Sequence, residues 1–529
     1  MRIVQSFWSS NRDLTKNRFG WLSPQFHLMA WTLSCLKLKE YYDDIHLYTD
    51  SNTKAILIDY LKLPYKMVHT DYDHINHYRD SLYALPKIMT YAAQDEPFIH
   101  VDGDIFIWDK FSHSLENAGL VAQNFEIGTW FTASIIKGIK DHIVYSPDYL
   151  QSELTKEKPS AYNAGIIGGS DLAFLKEYAN KALEIVDKNC DSIYKNETPG
   201  NFNVIFEQTL FHALSARENK TVSCFYPGTY EDHGYTIGEF CDFTEVPYRL
   251  KYLHLIGAHK RNPYVCDLMG RTLFKEYPEY FYKIIALFNE EHIHYNKKIK
   301  DFLSHPFTDN ISENNESQVS DDFMYRRTCR LISEENNTDI QPFNEINKSI
   351  SSCQSPTIKE IFQFENQVKA IVSGWSDIPG EELKATELAA LGNFEFFFKP
   401  AEHQMATVLE RNAKLKIIED SFDWTPEVKR IIMSGLPDNS IDNFGIALIP
   451  QLFFKGYKEV TIDLIDYNIL AILSEPMPLK EILPWLSDCF AIKEHDNEDN
   501  AIYDLTLLKL KNLFINKCIF IKNGVGSLN

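Results

Sequence analysis

Phe98-Ile99-His100-Val101-Asp102-Gly103-Asp104-Ile105-Phe106-Ile107-Trp108 is an apolar run broken once, by two carboxylates around a glycine. A short apolar run bounded by such a break reads as a buried strand. Two acids one residue apart at the end of a strand can both turn toward one cation. Carboxylates, with water and phosphate oxygens, are the natural ligands of Mg²⁺ or Mn²⁺. The competing reading is a hairpin turn, because Asp-Gly favours tight turns. The apolar runs on both sides place the break inside a sheet rather than at a surface tip.

Working back from this stretch, strands and helices alternate. Residues 3–8 (Ile-Val-Gln-Ser-Phe-Trp), 45–50 (ending in the carboxylate Asp50), 66–68 and 97–101 read as strands. Between them, Pro24 to Lys39 shows helical spacing of Phe26, Met29, Leu33 and Leu36, and 55–61 and 84–93 also read as helices. That alternation predicts an α/β domain with a mostly parallel sheet, whose ligands sit beyond the carboxyl ends of the strands.

Two later segments carry chemistry-bearing residues. Tyr162-Asn163-Ala164-Gly165-Ile166-Ile167-Gly168-Gly169-Ser170 is rich in small residues that permit close approach of backbone or ligand. Taken alone it reads as a glycine-containing buried strand. It is neither a Walker loop nor the dinucleotide fingerprint. His254-Leu255-Ile256-Gly257-Ala258-His259-Lys260 follows an apolar-aromatic run. An imidazole at a strand end can ligate a metal, and a glycine followed by a lysine can cradle a diphosphate; alone, such a segment most often is plain polar surface.

Composition bounds the rest. The 529 residues include 53 basic and 74 acidic side chains, a net charge of −21, which argues against a general nucleic-acid binder. The nine cysteines are odd in number and contain no Cys-x-x-Cys pair, so neither a disulfide framework nor a thiolate zinc site is expected. The N-terminus lacks the apolar core of a signal peptide, and no run is long and apolar enough to span a membrane, so a cytoplasmic protein is expected. The polar stretch 309–317, continuing with interruptions to about Ser355, reads as a connection. It gives a domain over 1–305, a linker over 306–355 and a second domain over 356–529.

In combination and in order, Asp-x-Asp, Asn-Ala-Gly and His-x-x-Gly-x-x-Lys resemble the GT-A glycosyltransferases, and among them the retaining family that includes glycogenin and the bacterial lipopolysaccharide galactosyltransferases. The resemblance covers about residues 1–270. It implies a Rossmann-like nucleotide-sugar-binding domain and a Mn²⁺ (or Mg²⁺) ion held by Asp102, Asp104 and His254. It further implies diphosphate contacts from Gly257 and Lys260, a donor contact from Lys87, and Asn163 facing the donor sugar or acceptor. Glu207-Gln208 resembles the acidic-Gln pair near the reacting carbon, and Gln5 and Ser6 would lie near the nucleotide base or ribose. The Pro-Trp that follows the lysine in that family is replaced by Arg261-Asn262-Pro263, a departure that weakens the family assignment more than the fold. The implied activity is sugar transfer from a nucleotide sugar, UDP-linked by preference, with retention, to a peptide, glycan or small molecule. The alternative is a non-catalytic GT-A-fold binding or scaffold protein.

The C-terminal region contains no metal or nucleophile constellation and reads as an α+β accessory domain. From Asp463 its order of strand, helix, prolines, helix, acidic loop, helix and strand resembles the small peptide-binding winged helices that recruit precursor peptides to modifying enzymes. A plain accessory or dimerisation domain fits the same pattern.

Overall fold

Residues 1–231, 240–243, 246, 250–288, 321–336, 343–397, 399–419, 445–451, 457–489 and 498–522 are described by the computed structural model. The chain divides into two units, Met1–His292 and Ile293–Asn529.

The first unit contains twelve described strands: Arg2–Phe7 (β1), Ile45–Thr49 (β2), Met67–His69 (β3), Phe98–Val101 (β4), Ile105–Ile107 (β5), Leu120–Ala122 (β6), Phe125–Ile127 (β7), Ser160–Tyr162 (β8), Ile166–Gly169 (β9), Val222–Cys224 (β10), Thr229–Glu231 (β11) and Tyr252–His254 (β12). Seven form the main sheet, in the order β10-β6-β9-β4-β1-β2-β3. The run β4-β1-β2-β3 is parallel. Strand β9 is antiparallel to both β4 and β6, while the other six strands share one direction, so the sheet is mixed yet mostly parallel, as the alternation suggested. Strand direction leaves no mark on apolar periodicity, so this inversion had no signal in that pattern.

Alternation along the strands sorts side chains onto two faces. Ile3, Ile99 and Val101 pack with Leu38 and Tyr42 from the end of the Pro24–Tyr41 helix and its cap. Val4 and Phe98 pack with Leu85 and Ile88 of the Leu85–Ala92 helix and Leu175 and Tyr178 of the Leu172–Lys195 helix. The Pro24–Tyr41 helix starts at a proline that presets its first turn and is buried from Gln25 to Leu38, not on one face only. It also packs against the helices Pro263–Glu276 and Pro278–Leu287, which explains burial all round. Asp50, at the end of β2, is structural: it caps the next turn at Thr53 N (2.8 Å) and holds Ser9 through its N (2.6 Å) and Oγ (2.7 Å).

Two small sheets hold the other described strands of the unit. One is β11-β7-β8; the other is the antiparallel pair β5-β12. This pair sets His254 opposite Ile105, beside Asp104.

Among the described residues, the second unit has two three-stranded antiparallel sheets. In one, Val408–Arg411 (β13) lies between Met477–Pro478 (β17) and Ile519–Ile521 (β18). In the other, Gly445–Pro450 (β15) lies between Lys416–Glu419 (β14) and Tyr457–Ile462 (β16). Ile446 and Leu448 join one core cluster; Ala447 and Ile449 join the other, so β15 is covered on both faces. The apolar run 444–449, which reads as a strand from its sequence, is this β15, with Phe444 itself outside the described residues.

Residues 309–317 of the expected linker also lie outside the described residues. From Asp321 onward, however, the segment is not a loose connection. Arg326–Glu335 and Phe343–Ile350 are helices whose Cys329, Leu331, Ile332, Ile346 and Ile350 are buried in the second unit's core. Their apolar residues are spaced at helical intervals among many polar ones, so average polarity concealed an amphipathic pattern. Past Asp463 come the helices Leu464–Ile472, Leu479–Cys489 and Glu498–Ile515 and then β18; the acidic loop falls in 490–497, outside the described residues.

Candidate metal centre

The three motifs meet at one point. Asp102-Gly103-Asp104 connects β4 to β5, and Ile105 N donates to Asp102 O (3.1 Å). The segment is therefore a turn, as Asp-Gly allows. It is not a hairpin turn, because β4 and β5 belong to different sheets. Gly103 packs on an indole: a Cβ there would lie 2.4 Å from Trp31 Cε2, closer than real contacts allow. The Asp102 amide donates to Gly165 O (3.0 Å), and Leu255 N donates to Asp104 O (3.1 Å). Backbone bonds thus tie the acid turn to each of the other two motifs.

One atom each from Asp102, Asp104 and His254 lies within 4.8 Å of the others, the one such three-residue group among the described residues. Two carboxylates and an imidazole form a donor set that fits a divalent cation such as Mn²⁺ or Mg²⁺, with positions left for phosphate oxygens. His254 Nε2 is 3.4 Å from Asp104 Oδ1. Lys260 pairs with the other Asp104 oxygen. It returns to this point because Gly257–Arg261 forms a 3₁₀ turn in which Gly257 adopts φ +52°, with open space where a Cβ would be. Leu22 N donates to Lys260 O (3.0 Å) and holds the turn.

Charge is tightly balanced here. Burial works to raise the Asp104 carboxyl, but Lys260 and His254 outweigh it and hold it well below the usual carboxylate range. Asp102 is raised by burial, against the opposing pull of Lys87. Lys87 Nζ lies 2.9 Å from Asp102 Oδ1, 3.0 Å from Oδ2 and 3.0 Å from Ala164 O, and pairs with Glu207. Burial disfavours its charge, yet Asp102 and Glu207 prevail and raise its pKa. An ammonium has three protons, and these contacts use them. Lys87, expected at the donor, thus orients Asp102 and joins it to Glu207. Glu207 is itself pushed up to about 7, chiefly by burial, with Lys87 opposing. Glu207 and Gln208 lie in a π-helical turn, Val204–Thr209, a geometry common at functional sites. Tyr178 Oη donates to Glu207 O (2.7 Å) and fixes that turn.

The Asn-Ala-Gly motif divides into a scaffold and a site. Gly168 and Gly169 serve the sheet: a Cβ on Gly168 would lie 2.1 Å from Phe98 O, and Gly169 has φ +131°. Gly165 serves the site: a Cβ there would lie 2.5 Å from His254 Cε1 and 2.6 Å from Gln123 Oε1. Asn163 is buried; its Oδ1 accepts from Gly165 N (2.9 Å), and its Nδ2 is 3.4 Å from Glu126 Oε1. The side chain shapes the loop that carries Gly165.

Gln5 and Ser6, expected near the nucleotide, are buried. Gln5 Nε2 donates to Ser34 Oγ (3.0 Å) and lies 3.5 Å from Asp102 O, while its Oε1 accepts from Tyr65 Oη (2.7 Å). Ser6 Oγ bonds His100 Nε2 (2.9 Å). Both side chains brace the strand ends beneath the acid turn. The residues that sequence reasoning missed are Gln123, Tyr252 and Trp31. Their only mark is a polar or aromatic residue beside an apolar run, which many buried residues share.

Two solved structures are similar. One is the galactosyltransferase LgtC in complex with donor and acceptor sugar analogs, at 13% identity and a TM-score of 0.23. The other is an active-site mutant of LgtC, at 11% identity and a TM-score of 0.24. Each match covers 39% of this chain and 70% of the other. At such scores the likeness decides nothing about the chemistry. No curated protein matches. Residues 1–287, which carry every motif of the metal centre, match the model described as a family of unknown function (DUF6734), and the chain belongs to that family.

Proposed function

We propose that the first unit is a metal-dependent glycosyltransferase of the GT-A type that uses a nucleotide sugar, with a UDP-sugar as the preferred donor. One observation carries this: Asp102 and Asp104 of one motif converge with His254 of another, with Lys260 closing the same point. As the bond to the sugar's C1 breaks, the leaving diphosphate gains negative charge. A bound divalent cation would supply Lewis-acid stabilisation of that charge. Lys260 adds a fixed positive charge at the same place, and preorganised charges of this kind lower barriers most. Gly257, with its backbone in the left-handed region and nothing over its Cα, lets a phosphate approach the turn. Lys87 holds Asp102 in position to ligate. Gln208, one residue from Glu207, orients the reacting centre, and a retaining reaction of this type has the departing phosphate take the acceptor proton. Were Glu207 the base instead, the outcome would be inversion. The second unit is assigned an accessory role.

Calorimetric titration of UDP, then GDP, into the full chain with and without Mn²⁺ tests the proposal. Mn²⁺-dependent UDP binding that is lost in Asp104→Asn is expected. Absence of nucleotide binding under every condition would overturn it in favour of a non-catalytic module.

A further inference from the structure

His254 has two ring nitrogens, and only one faces the acids. Nε2 is 3.4 Å from Asp104 Oδ1; Nδ1 points the other way and is 2.7 Å from Gln123 Oε1. Gln123 follows β6 directly and is fully buried. Its main chain is fixed on both sides: its N donates to Asn163 O (3.2 Å), and its O accepts from Tyr226 N (2.8 Å). Its side chain is fixed as well. Nε2 donates to Asn124 Oδ1 (3.1 Å), and Oε1 accepts from the Tyr252 hydroxyl (2.6 Å). An amide oxygen has two lone pairs. With one taken by Tyr252, the other meets His254 Nδ1.

We infer that Gln123 is a positioning residue that sets the tautomer and orientation of His254. A neutral imidazole carries one N–H. If that proton sits on Nδ1 and is given to Gln123, the lone pair sits on Nε2, the atom beside Asp104. A cation there needs that lone pair, and outer partners of this kind orient ligating histidines. Tyr252 pins the amide oxygen, and the absence of a side chain on Gly165 leaves room for the Gln123–His254 contact, since a Cβ would press on both groups. The opposite arrangement would turn the amide over, put the proton on Nε2 and direct it at Asp104. That state would block a cation. The inference rests on the metal-dependent reading of the site, yet the tautomer can be measured without any metal.

The test uses the full chain labelled with ¹⁵N-histidine, metal-free, at alkaline pH. The His254 signals are identified by their loss in His254→Gln. Long-range proton–nitrogen spectra should report the Nδ1–H form in the native protein and a shift toward Nε2–H in Gln123→Ala. In parallel, Mn²⁺ affinity is read by electron paramagnetic resonance. Gln123→Ala should weaken it about 10–100-fold. Gln123→Glu keeps an acceptor oxygen in place and should restore most of the affinity, as a merely structural role would not predict. Tyr252→Phe loosens the amide without removing it and should fall between them, which keeps the test available if Gln123→Ala does not fold. An Nε2–H form in the native protein, or equal losses in the Ala and Glu variants, overturns the inference. A native Nδ1–H form with no Mn²⁺ binding upholds the positioning role while overturning the metal-dependent reading.

Discussion

Gly165→Ala is the sharpest perturbation available, because one added methyl group separates the site from the scaffold. The new Cβ would lie 2.5 Å from His254 Cε1, 2.6 Å from Gln123 Oε1 and 2.8 Å from His254 Nδ1. Ordinary contact begins at 3.4 Å, so the imidazole must retreat by about 0.9 Å. The atoms met are the ends of side chains, which can move. Overpacking of this sort costs about 1–3 kcal/mol of stability, so the chain should still fold. A ligand set, by contrast, must be held to within about 0.5 Å. The retreat exceeds that tolerance and also strains the His254–Gln123 hydrogen bond. Loss of such support lowers metal affinity about 10–100-fold. The assay is Mn²⁺ titration, followed by Mn²⁺-dependent UDP binding, alongside a thermal melt. Gly168→Ala is the control: its Cβ would meet backbone at 2.1 Å in the centre of the sheet, so it should lower the melting temperature first. A Gly165→Ala protein with native Mn²⁺ affinity would refute the claim that the three motifs form one site.

Three further outcomes are expected. Asp104→Asn should abolish Mn²⁺-dependent nucleotide binding with little loss of fold, read by calorimetry and circular dichroism; unchanged binding would remove Asp104 from the ligand set. Lys87→Met leaves Asp102 and Glu207 facing each other without their shared cation. Removing one partner of a buried pair costs about 3–5 kcal/mol, so denaturant melts should show a clear drop, and an unchanged midpoint would refute the bridging role. In the second unit, burial opposes the Glu459 charge, but Arg327 and Arg326 outweigh it and hold the carboxyl down at about 2, from an ordinary 4.5. Because the folded value is the lower one, this stabilisation is present above pH 4.5 and is lost as pH falls toward 2. The native melting temperature should therefore fall more steeply below pH 4.5 than that of Glu459→Gln, and parallel profiles would refute the assignment.

The strands of the first unit were legible because each is a short apolar run between turn-forming residues, and β1, β2 and β4 lie within a residue or two of their expected bounds. Asp102, Asp104, His254 and Lys260 were legible as chemistry because strand ends deliver carboxylates and imidazoles to common ground. Less visible was what supports them. Gln123 and Tyr252 act through a hydrogen-bond chain that closes only when residues more than a hundred positions apart come together. Gln5 and Ser6 occupy a strand end, as a nucleotide contact would, but their buried side chains are bonded to Ser34, Tyr65 and His100. The stretch from Asp321 looked like a connection because polar residues outnumber the buried ones on its helices. The direction of β9 shows only in which strands it pairs with, a fact of three dimensions.

The indole of Trp31 lies against Gly103, between the two acids, and only 6% of the residue is exposed. The site therefore carries its own chromophore. A paramagnetic ion held by Asp102 and Asp104 would sit close enough to quench that emission, whereas Mg²⁺ would leave its intensity nearly intact. Occupancy could then be followed optically, without a label, in the same cuvette that receives a trial nucleotide. A Trp31→Phe variant would supply the baseline contributed by the other tryptophans.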